Sequence, residues 1–218
     1  MRGVASALIA AGHDVELPRL PGHGTTIEEM VTTRWTDWFA ETERALDELV
    51  RRTDRVVLLG QSAGGTLALA AAFGRRGVAG VVCINPATRI RDEATMAMVD
   101  ELIEDGFEIV PGDGSDIADP ESSDIAYDGT PLRPLKSLVV DGVEPITDRF
   151  GELTVPLRLF TSRQDHVVPP SDSEHLASTW GGPVEHTWLE RSYHVATLDH
   201  DREIVIAGAV DFVRALNA

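Results

Sequence analysis

The sequence predicts an α/β fold with a mostly parallel sheet covered by helices on both faces. Short β-rich runs alternate with longer helical patterns along most of the chain, which is the order that parallel strands joined by crossover helices require. Several of the β-rich runs are continuously apolar, as strands buried on both faces should be. The 218 residues suit one domain, and 43% apolar with 25% charged residues excludes a disordered or fibrous chain.

Five helices and five strands are predicted. In chain order they are a helix at 4–11, a strand at 13–17, a helix at 35–52, a strand at 55–59, a helix at 63–73, strands at 78–84 and 155–161, a helix at 171–179, a strand at 184–189 and a helix at 202–216. Gly12 gives a stop signal for the first helix, and Ser171 after two prolines can cap the fourth.

The alternation fails between residues 85 and 154, where Gly, Pro, Ser and Asp accumulate and no strong strand pattern occurs. We interpret 85–154 as an insertion into a core formed by residues 1–84 and 155–218. Residues 101–129 contain no Lys or Arg and ten acidic residues, namely Glu101, Glu104, Asp105, Glu108, Asp113, Asp116, Asp119, Glu121, Asp124 and Asp128. We expect a solvated, mobile surface there, because the spacing lacks the Asp-x-Asp-x-Asp-Gly loop of a calcium site.

Charge and cysteine content exclude several classes of partner. The 36 acidic residues outnumber the 19 basic ones and give a formal charge of −17, which disfavours nucleic acid and acidic membranes as partners. The single cysteine, Cys83, lies in an apolar run, so we expect a core residue and neither a disulfide nor a metal cluster. No apolar stretch reaches the ~20 residues of a membrane span. We predict a cytoplasmic protein without metal or cofactor.

The motif Gly60-Gln61-Ser62-Ala63-Gly64 lies directly between a predicted strand and a predicted helix. This G-x-S-x-G context is typical of a nucleophile elbow, in which a sharp turn holds the serine in a strained backbone conformation. The neighbours must then be small, a requirement that Gly60, Gly64 and Gly65 meet. The start of the following helix offers backbone N–H groups to a developing negative charge. Ser62 is therefore the candidate nucleophile.

A serine nucleophile needs a base, which a third group must hold in one tautomer. In this class the order along the chain is serine, acid, histidine. Asp165 follows the strand 155–161 and His194 follows the strand 184–189, so both lie at the carboxyl ends of parallel strands, where ligands bind. His186 within a strand and His200 at a helix start are weaker candidates for the base. His23, in Gly22-His23-Gly24, is expected to serve a structural turn.

Together these segments resemble the α/β-hydrolase superfamily, and more narrowly the small bacterial carboxylesterases and thermostable monoacylglycerol lipases with a short cap. The matching segments are LPRLPGHGT (17–25), RW (34–35), DW (37–38), GQSAGG (60–65), NPA (85–87), QDHVVP (164–169) and SYHVATLD (192–199). The resemblance implies that Ser62 is the nucleophile, Asp165 the acid and His194 the base, with the backbone N–H of Ala63 in the oxyanion hole. It also implies that 85–154 is a cap shaping the acyl pocket.

Two departures from the family pattern stand out. Ala63 occupies a position where the family usually has a bulky apolar residue, often Met. The family also has a further strand and a His-Gly-aromatic loop before the first helix, and that loop donates the second oxyanion N–H. We expect Met1 to be an internal methionine of a product a few tens of residues longer, which the gene upstream of Met1 can test.

The resemblance implies a serine carboxylic-ester hydrolase that works through an acyl-enzyme. Its expected substrates are neutral esters with short or medium acyl chains, monoacylglycerols being one candidate, because the acidic surface disfavours anionic substrates. A C–C bond hydrolase or a perhydrolase could use the same triad, since one fold hosts many reactions. A catalytically silent binding module is the third alternative.

Overall fold

The structure is a computed structural model that describes residues 1–90, 93–112 and 114–217. Its helices are α1 (Arg2–Ala10), α2 (Ile27–Thr32), α3 (Trp35–Val50), α4 (Ala63–Ala72), α5 (Glu93–Glu104), α6 (Leu132–Ser137), α7 (Pro170–Thr179) and α8 (Arg202–Asn217), with a π-helical turn at Leu138–Val143 and a 3-10 turn at Phe150–Glu152. Its strands are β1 (Val56–Gln61), β2 (Val78–Ile84), β3 (Ile109–Pro111), β4 (Gly129–Pro131), β5 (Leu157–Ser162) and β6 (Val184–Leu189).

Within the described residues, four parallel strands form the central sheet in the order β1-β2-β5-β6. Alternate residues of β2 point to opposite faces, and each face has its own helical cover. Val82 and Ile84 pack with α1 and α8, whereas Val81 and Cys83 pack with α4 and α7. The predicted parallel sheet with helices on both faces is therefore confirmed.

Cys83 is fully buried in the sheet, as expected of a core residue. Burial raises the pKa of its thiol, since a thiolate would have to form away from water. The Cys83 sulfur is therefore an apolar packing atom.

Most predicted elements lie within two residues of the observed ones. The strands at 78–84 and 184–189 agree at both ends, and the strand at 55–59 extends to Gln61, which brings it directly to the serine turn. The helix α2 was not predicted, although Thr26 caps it by accepting a hydrogen bond from the N–H of Glu29 at 3.3 Å. The T-x-x-E pattern at 26–29 is a capping signal that could have revealed this helix.

The strand predicted at 13–17 is wrong. Those residues follow α1 without joining a sheet in the described structure. A parallel strand is stabilised only through its neighbours' backbone groups, and here a cavity of about 940 Å³ lies against the segment. Val15 and Leu17 line it together with Val57 and Leu59 of β1, and it extends to Ser62. In the described part of the chain the segment therefore pairs with no strand, and β1 is an edge of the central sheet.

Within the 85–154 segment, α5, the antiparallel pair β3 and β4, and α6 lie outside the central sheet. Two of the places where hydrogen bonds attach the segment to the core lie beside α2 and α3. The Ser137 hydroxyl accepts the N–H of Trp35 at 3.0 Å. The Tyr127 hydroxyl accepts the N–H of Thr25 at 2.9 Å and donates to the Gly22 carbonyl at 2.6 Å. Tyr127 thus fixes the loop that precedes α2. No helix in the described ranges is long and apolar enough to cross a membrane.

Candidate active site

Ser62 occupies a sharp turn between the end of β1 and the start of α4. Its backbone has φ 54° and ψ −126°, a conformation that a non-glycine residue adopts rarely and at a cost. Three hydrogen bonds hold it there: the Ser62 N–H donates to the Ile84 carbonyl at 3.0 Å, and the Ser62 carbonyl accepts the N–H groups of Gly65 at 2.8 Å and Thr66 at 3.2 Å. The turn has the geometry that the G-x-S-x-G motif predicts.

The glycines around this turn differ in what they permit. A Cβ on Gly60 would lie far inside contact distance of the Gly64 carbonyl, and one on Gly65 would lie 2.8 Å from Pro86 Cβ. A Cβ on Gly64 would meet nothing within 4 Å. The prediction that the neighbours of Ser62 must be small is therefore confirmed for Gly60 and Gly65 and is wrong for Gly64.

Asp165 and His194 form a buried hydrogen-bonded pair. The Nδ1 atom of His194 lies 2.7 Å from Asp165 Oδ2, and the two side chains are only 9% and 1% exposed. Asp165 Oδ1 accepts the backbone N–H groups of Val167 at 2.9 Å and Val168 at 2.8 Å, so the carboxylate is fixed on both oxygens. Because Nδ1 faces Asp165, the Nε2 atom of His194 is left for a substrate or a nucleophile.

The Ser62 and His194 loops are joined through the end of β2 and through the residue before the serine. Ser62 bonds to the carbonyl of Ile84, and the next residue, Asn85, donates from Nδ2 to the His194 carbonyl at 2.8 Å. The Thr197 hydroxyl donates to Gln61 Oε1 at 2.8 Å. Within the described part of the chain the Ser62 hydroxyl makes no hydrogen bond, and such bonds commonly tighten only once a substrate binds.

Asn85 is a buried connector that sequence reasoning missed. It is 1% exposed and has φ 45°, in the left-handed region that asparagine tolerates better than most residues. Its Nδ2 also donates to Ser162 Oγ at 3.0 Å, its Oδ1 accepts the Ser162 N–H at 2.7 Å, and Ser162 Oγ donates to the Tyr193 carbonyl at 2.8 Å. The position of Asn85 directly after a fully apolar strand was the available signal.

Three carboxylates hold the loop that carries His194. Asp201 accepts the N–H groups of Arg191 at 2.9 Å and Ser192 at 3.0 Å. Asp199 accepts the N–H of Tyr193 at 2.8 Å, and Asp116 accepts the N–H of His194 at 3.0 Å. Four consecutive amides of the loop, 191–194, are thus paired with carboxylate oxygens, bonds that are stronger than those to neutral acceptors.

Asp116 corrects the expectation of a solvated acidic surface. Its side chain is 16% exposed and lies 2.8 Å from Nδ1 of His166. Burial acts to raise the pKa of Asp116, but hydrogen bonds from the ring and backbone of His166 and from the backbone of His194 outweigh it and lower the pKa below its usual value. Asp113, another of the ten acidic residues, lies outside the described residues.

The remaining histidines have other surroundings. Nε2 of His186 lies 2.8 Å from the Thr161 hydroxyl on the neighbouring strand, and His200 is exposed. His23 approaches the Pro21 carbonyl through Nδ1 at 3.2 Å and packs edge-on against Trp38, while lining the same cavity as Ser62. In the described ranges, no group of three or more His, Cys, Asp or Glu side chains is arranged to hold a metal ion.

A strained serine turn at the end of β1, with a buried Asp–His pair in the loops after β5 and β6, defines an enzyme of the hydrolase class on an open parallel sheet. Comparison with known proteins assigns the chain to the same class. The chain belongs to the Alpha/beta hydrolase family, whose model matches residues 2–207.

Similar proteins cover almost the whole chain. The thermostable monoacylglycerol lipase of Bacillus sp. (strain H-257) is 36% identical over an alignment of 217 residues that covers 97% of this chain and 84% of that protein. A carboxylesterase of Bacillus subtilis (strain 168) is 22% identical over an alignment of 208 residues that covers 94% of this chain and 83% of that protein. A solved structure from work on LipS and LipT, two metagenome-derived lipolytic enzymes, superposes with a TM-score of 0.90 at 36% identity, covering 99% of this chain and 87% of its own.

Proposed function

We propose that this hydrolase is a serine carboxylic-ester hydrolase in which Ser62 is the nucleophile, His194 the base and Asp165 the acid that orients it. The observation that carries the proposal is the buried Asp165–His194 pair at 2.7 Å, whose histidine loop is hydrogen-bonded through Thr197 to Gln61, the residue before a serine with φ 54°. The names of the two curated relatives, a monoacylglycerol lipase and a carboxylesterase, support ester chemistry.

Each member of the triad has a defined task in this reaction. Ser62 Oγ attacks the ester carbonyl while His194 Nε2 takes its proton, and Asp165 stabilises the imidazolium that forms. The tetrahedral intermediate collapses as His194 returns the proton to the leaving alcohol, which leaves an acyl group on Ser62. His194 then takes a proton from water, and the hydroxide attacks the acyl carbonyl. The carboxylic acid product leaves as His194 returns the proton to Ser62 Oγ.

The backbone N–H of Ala63 is the proposed oxyanion donor. It lies in the first turn of α4, where amides have no partner within the helix, and it makes no backbone hydrogen bond in the described structure. The positive end of the helix dipole favours the negative charge that develops on the carbonyl oxygen. A single donor of this kind contributes on the order of a hundred- to a thousandfold in rate.

The proposed substrates are neutral esters with short or medium acyl chains, monoacylglycerols among them. Leu20 and Leu67 line the cavity that reaches Ser62 and provide apolar surface for an acyl chain. The formal charge of −17 disfavours anionic substrates. The 85–154 segment, which is fixed to the core through Ser137 and Tyr127, is the proposed cap, and its Tyr127 and Leu138 pack in the same apolar cluster as Leu20 and Leu67.

The test combines covalent labelling with turnover. A fluorophosphonate probe should label the wild-type chain on Ser62, as located by mass spectrometry, and Ser62→Ala should remove both the label and the hydrolysis of p-nitrophenyl butyrate and glycerol monobutyrate. Labelling elsewhere, or ester hydrolysis that survives Ser62→Ala, contradicts the proposal. Cleavage of a β-diketone without ester hydrolysis would favour C–C bond hydrolysis by the same triad, and neither labelling nor turnover would favour a binding module.

A further inference from the structure

Asp116 belongs to the 85–154 segment but contacts both loops of the proposed Asp–His pair. Its Oδ2 atom accepts the backbone N–H of His194 at 3.0 Å and that of His166, the residue after Asp165, at 3.1 Å. Its Oδ1 atom lies 2.8 Å from Nδ1 of His166. The Asp116 carboxylate therefore links the loop that carries Asp165 to the loop that carries His194.

The attachment works in both directions. The Asp116 carbonyl accepts the N–H of Val195 at 3.1 Å. In return, the buried carboxylate of Asp199 accepts the N–H groups of Ala118 at 2.8 Å and Asp119 at 3.0 Å. Residues 116–119 are thus fastened at both ends to the loop 194–199, and they cannot move away without breaking bonds to the His194 backbone.

We propose that Asp116 is a positioning residue that sets the place of His194 relative to Asp165 and Ser62, and so links the 85–154 segment to the chemistry. The inference rests on the proposed ester hydrolysis. Asp116 does not touch the reacting atoms; it acts through the backbone of His194. Displacement of a catalytic group by about 1 Å costs on the order of a hundredfold in rate, so a loop anchor of this kind affects turnover directly.

Substitutions at Asp116 can separate its role as a hydrogen-bond acceptor from the effect of its negative charge. In Asp116→Asn, the side-chain oxygen can take the place of Oδ2 and accept both backbone N–H groups, while the amide faces His166 Nδ1. In Asp116→Glu, the charge is kept, but the longer side chain displaces the acceptor. Asp116→Ala removes the acceptor altogether. Asp128 is an exposed carboxylate of the same acidic stretch, so Asp128→Ala is the matched control.

The experiment measures kcat and KM for p-nitrophenyl butyrate, the rate of fluorophosphonate labelling, and Tm for each variant. We expect Asp116→Ala and Asp116→Glu to lower kcat and the labelling rate at least tenfold with KM within twofold, Asp116→Asn to stay within threefold of wild type, and Asp128→Ala to match wild type. If Asp116→Ala does not fold, the Asn and Glu variants still test the proposal, because one keeps the position of the acceptor oxygen and the other keeps the negative charge.

Two outcomes overturn the positioning role. One is a wild-type kcat in Asp116→Ala, and the other is a wild-type kcat in Asp116→Glu. In the second case, loss of activity in Asp116→Asn would identify the charge, and not the anchor, as the active element. Failure of the underlying function is distinguishable, because the wild-type chain would then hydrolyse no ester and its Ser62 would not be labelled.

Discussion

The side-chain amide of Asn85 donates to the main-chain carbonyl of His194 at 2.8 Å, across 109 positions of the sequence. The same side chain pairs with both the N–H and the hydroxyl of Ser162. Asn85 therefore joins the ends of β2 and β5 to the loop after β6, and it does so next to the residue whose carbonyl holds Ser62.

Asn85→Ala should destabilise the fold strongly. It removes three buried hydrogen bonds, leaves their partners on Ser162 and His194 unpaired, and puts alanine at φ 45°. At about 1 kcal/mol for each bond, the free energy of unfolding should fall by about 3 kcal/mol, and Tm by about 10 °C for a chain of this size. Urea and thermal unfolding measure both. A change below about 0.5 kcal/mol, the range of ordinary surface substitutions, would contradict the buried bonding scheme.

The two glycines that flank the serine turn should respond in opposite ways to the same added methyl group. Gly60→Ala places a Cβ against the Gly64 carbonyl in a turn that cannot relax without moving Ser62, so we expect loss of both folded stability and fluorophosphonate labelling. Gly64→Ala adds a methyl group in open space inside α4, where alanine is favoured over glycine by up to about 1 kcal/mol. Its Tm should equal or exceed that of the wild type. Equal effects of the two substitutions would refute the described turn.

The proposed triad could be placed from the sequence because its signals are local. A G-x-S-x-G motif between strand and helix locates Ser62, and the rule that loops at strand carboxyl ends carry the site locates Asp165 and His194. Each of these needs only the strand beside it, and each strand has a β-rich pattern that can be recognised, although β6 is mostly half-buried and contains Glu185 and His186.

What the sequence could not predict depends on contacts between distant segments. Asp116 reaches His194 across 78 positions, so nothing in its neighbourhood separates it from the other acidic residues. The segment 13–17 has the composition of a strand, yet strand formation depends on a partner, and in the described structure this segment and β1 line a cavity and do not pair. Strand propensity indicates which residues can form a β-strand, but it does not indicate with which strand they will pair.

His23 should make stability depend on pH around neutrality. Burial lowers its pKa below the ordinary value of about 6.5, and the contact with the Pro21 carbonyl offsets this only in part. The unfolded chain therefore binds a proton at a pH where the folded chain does not, so stability present above about pH 6.5 is lost as the pH falls from there toward the folded pKa.

His23→Asn should flatten the fall of Tm between pH 7.5 and 5.5, since asparagine does not titrate. The wild-type chain, measured over the same pH range, is the reference for this slope. Some slope should remain in His23→Asn, because burial also lowers the pKa of His186. An unchanged slope in His23→Asn would show that His23 titrates alike in the folded and unfolded chains.

Asp165→Asn keeps His194 in place but should change which of its ring nitrogens carries the proton. The asparagine oxygen is expected to stay on the N–H groups of Val167 and Val168, which hold Oδ1 of Asp165 at 2.9 and 2.8 Å. That arrangement turns the amide NH₂ toward Nδ1 of His194 and favours the tautomer with the proton on Nε2. In this tautomer Nε2 cannot act as a base toward Ser62.

We expect kcat of Asp165→Asn for p-nitrophenyl butyrate to fall by about 10³- to 10⁴-fold with KM little changed. A loss of this size is what a wrong tautomer produces in serine hydrolases. Stopped assays at several substrate concentrations give the two constants, and Tm checks the fold. Asp128→Asn, which changes an exposed carboxylate outside the pair in the same way, should leave kcat unchanged. A kcat for Asp165→Asn within tenfold of the wild type would remove Asp165 from the proposed triad, even if Ser62 is labelled.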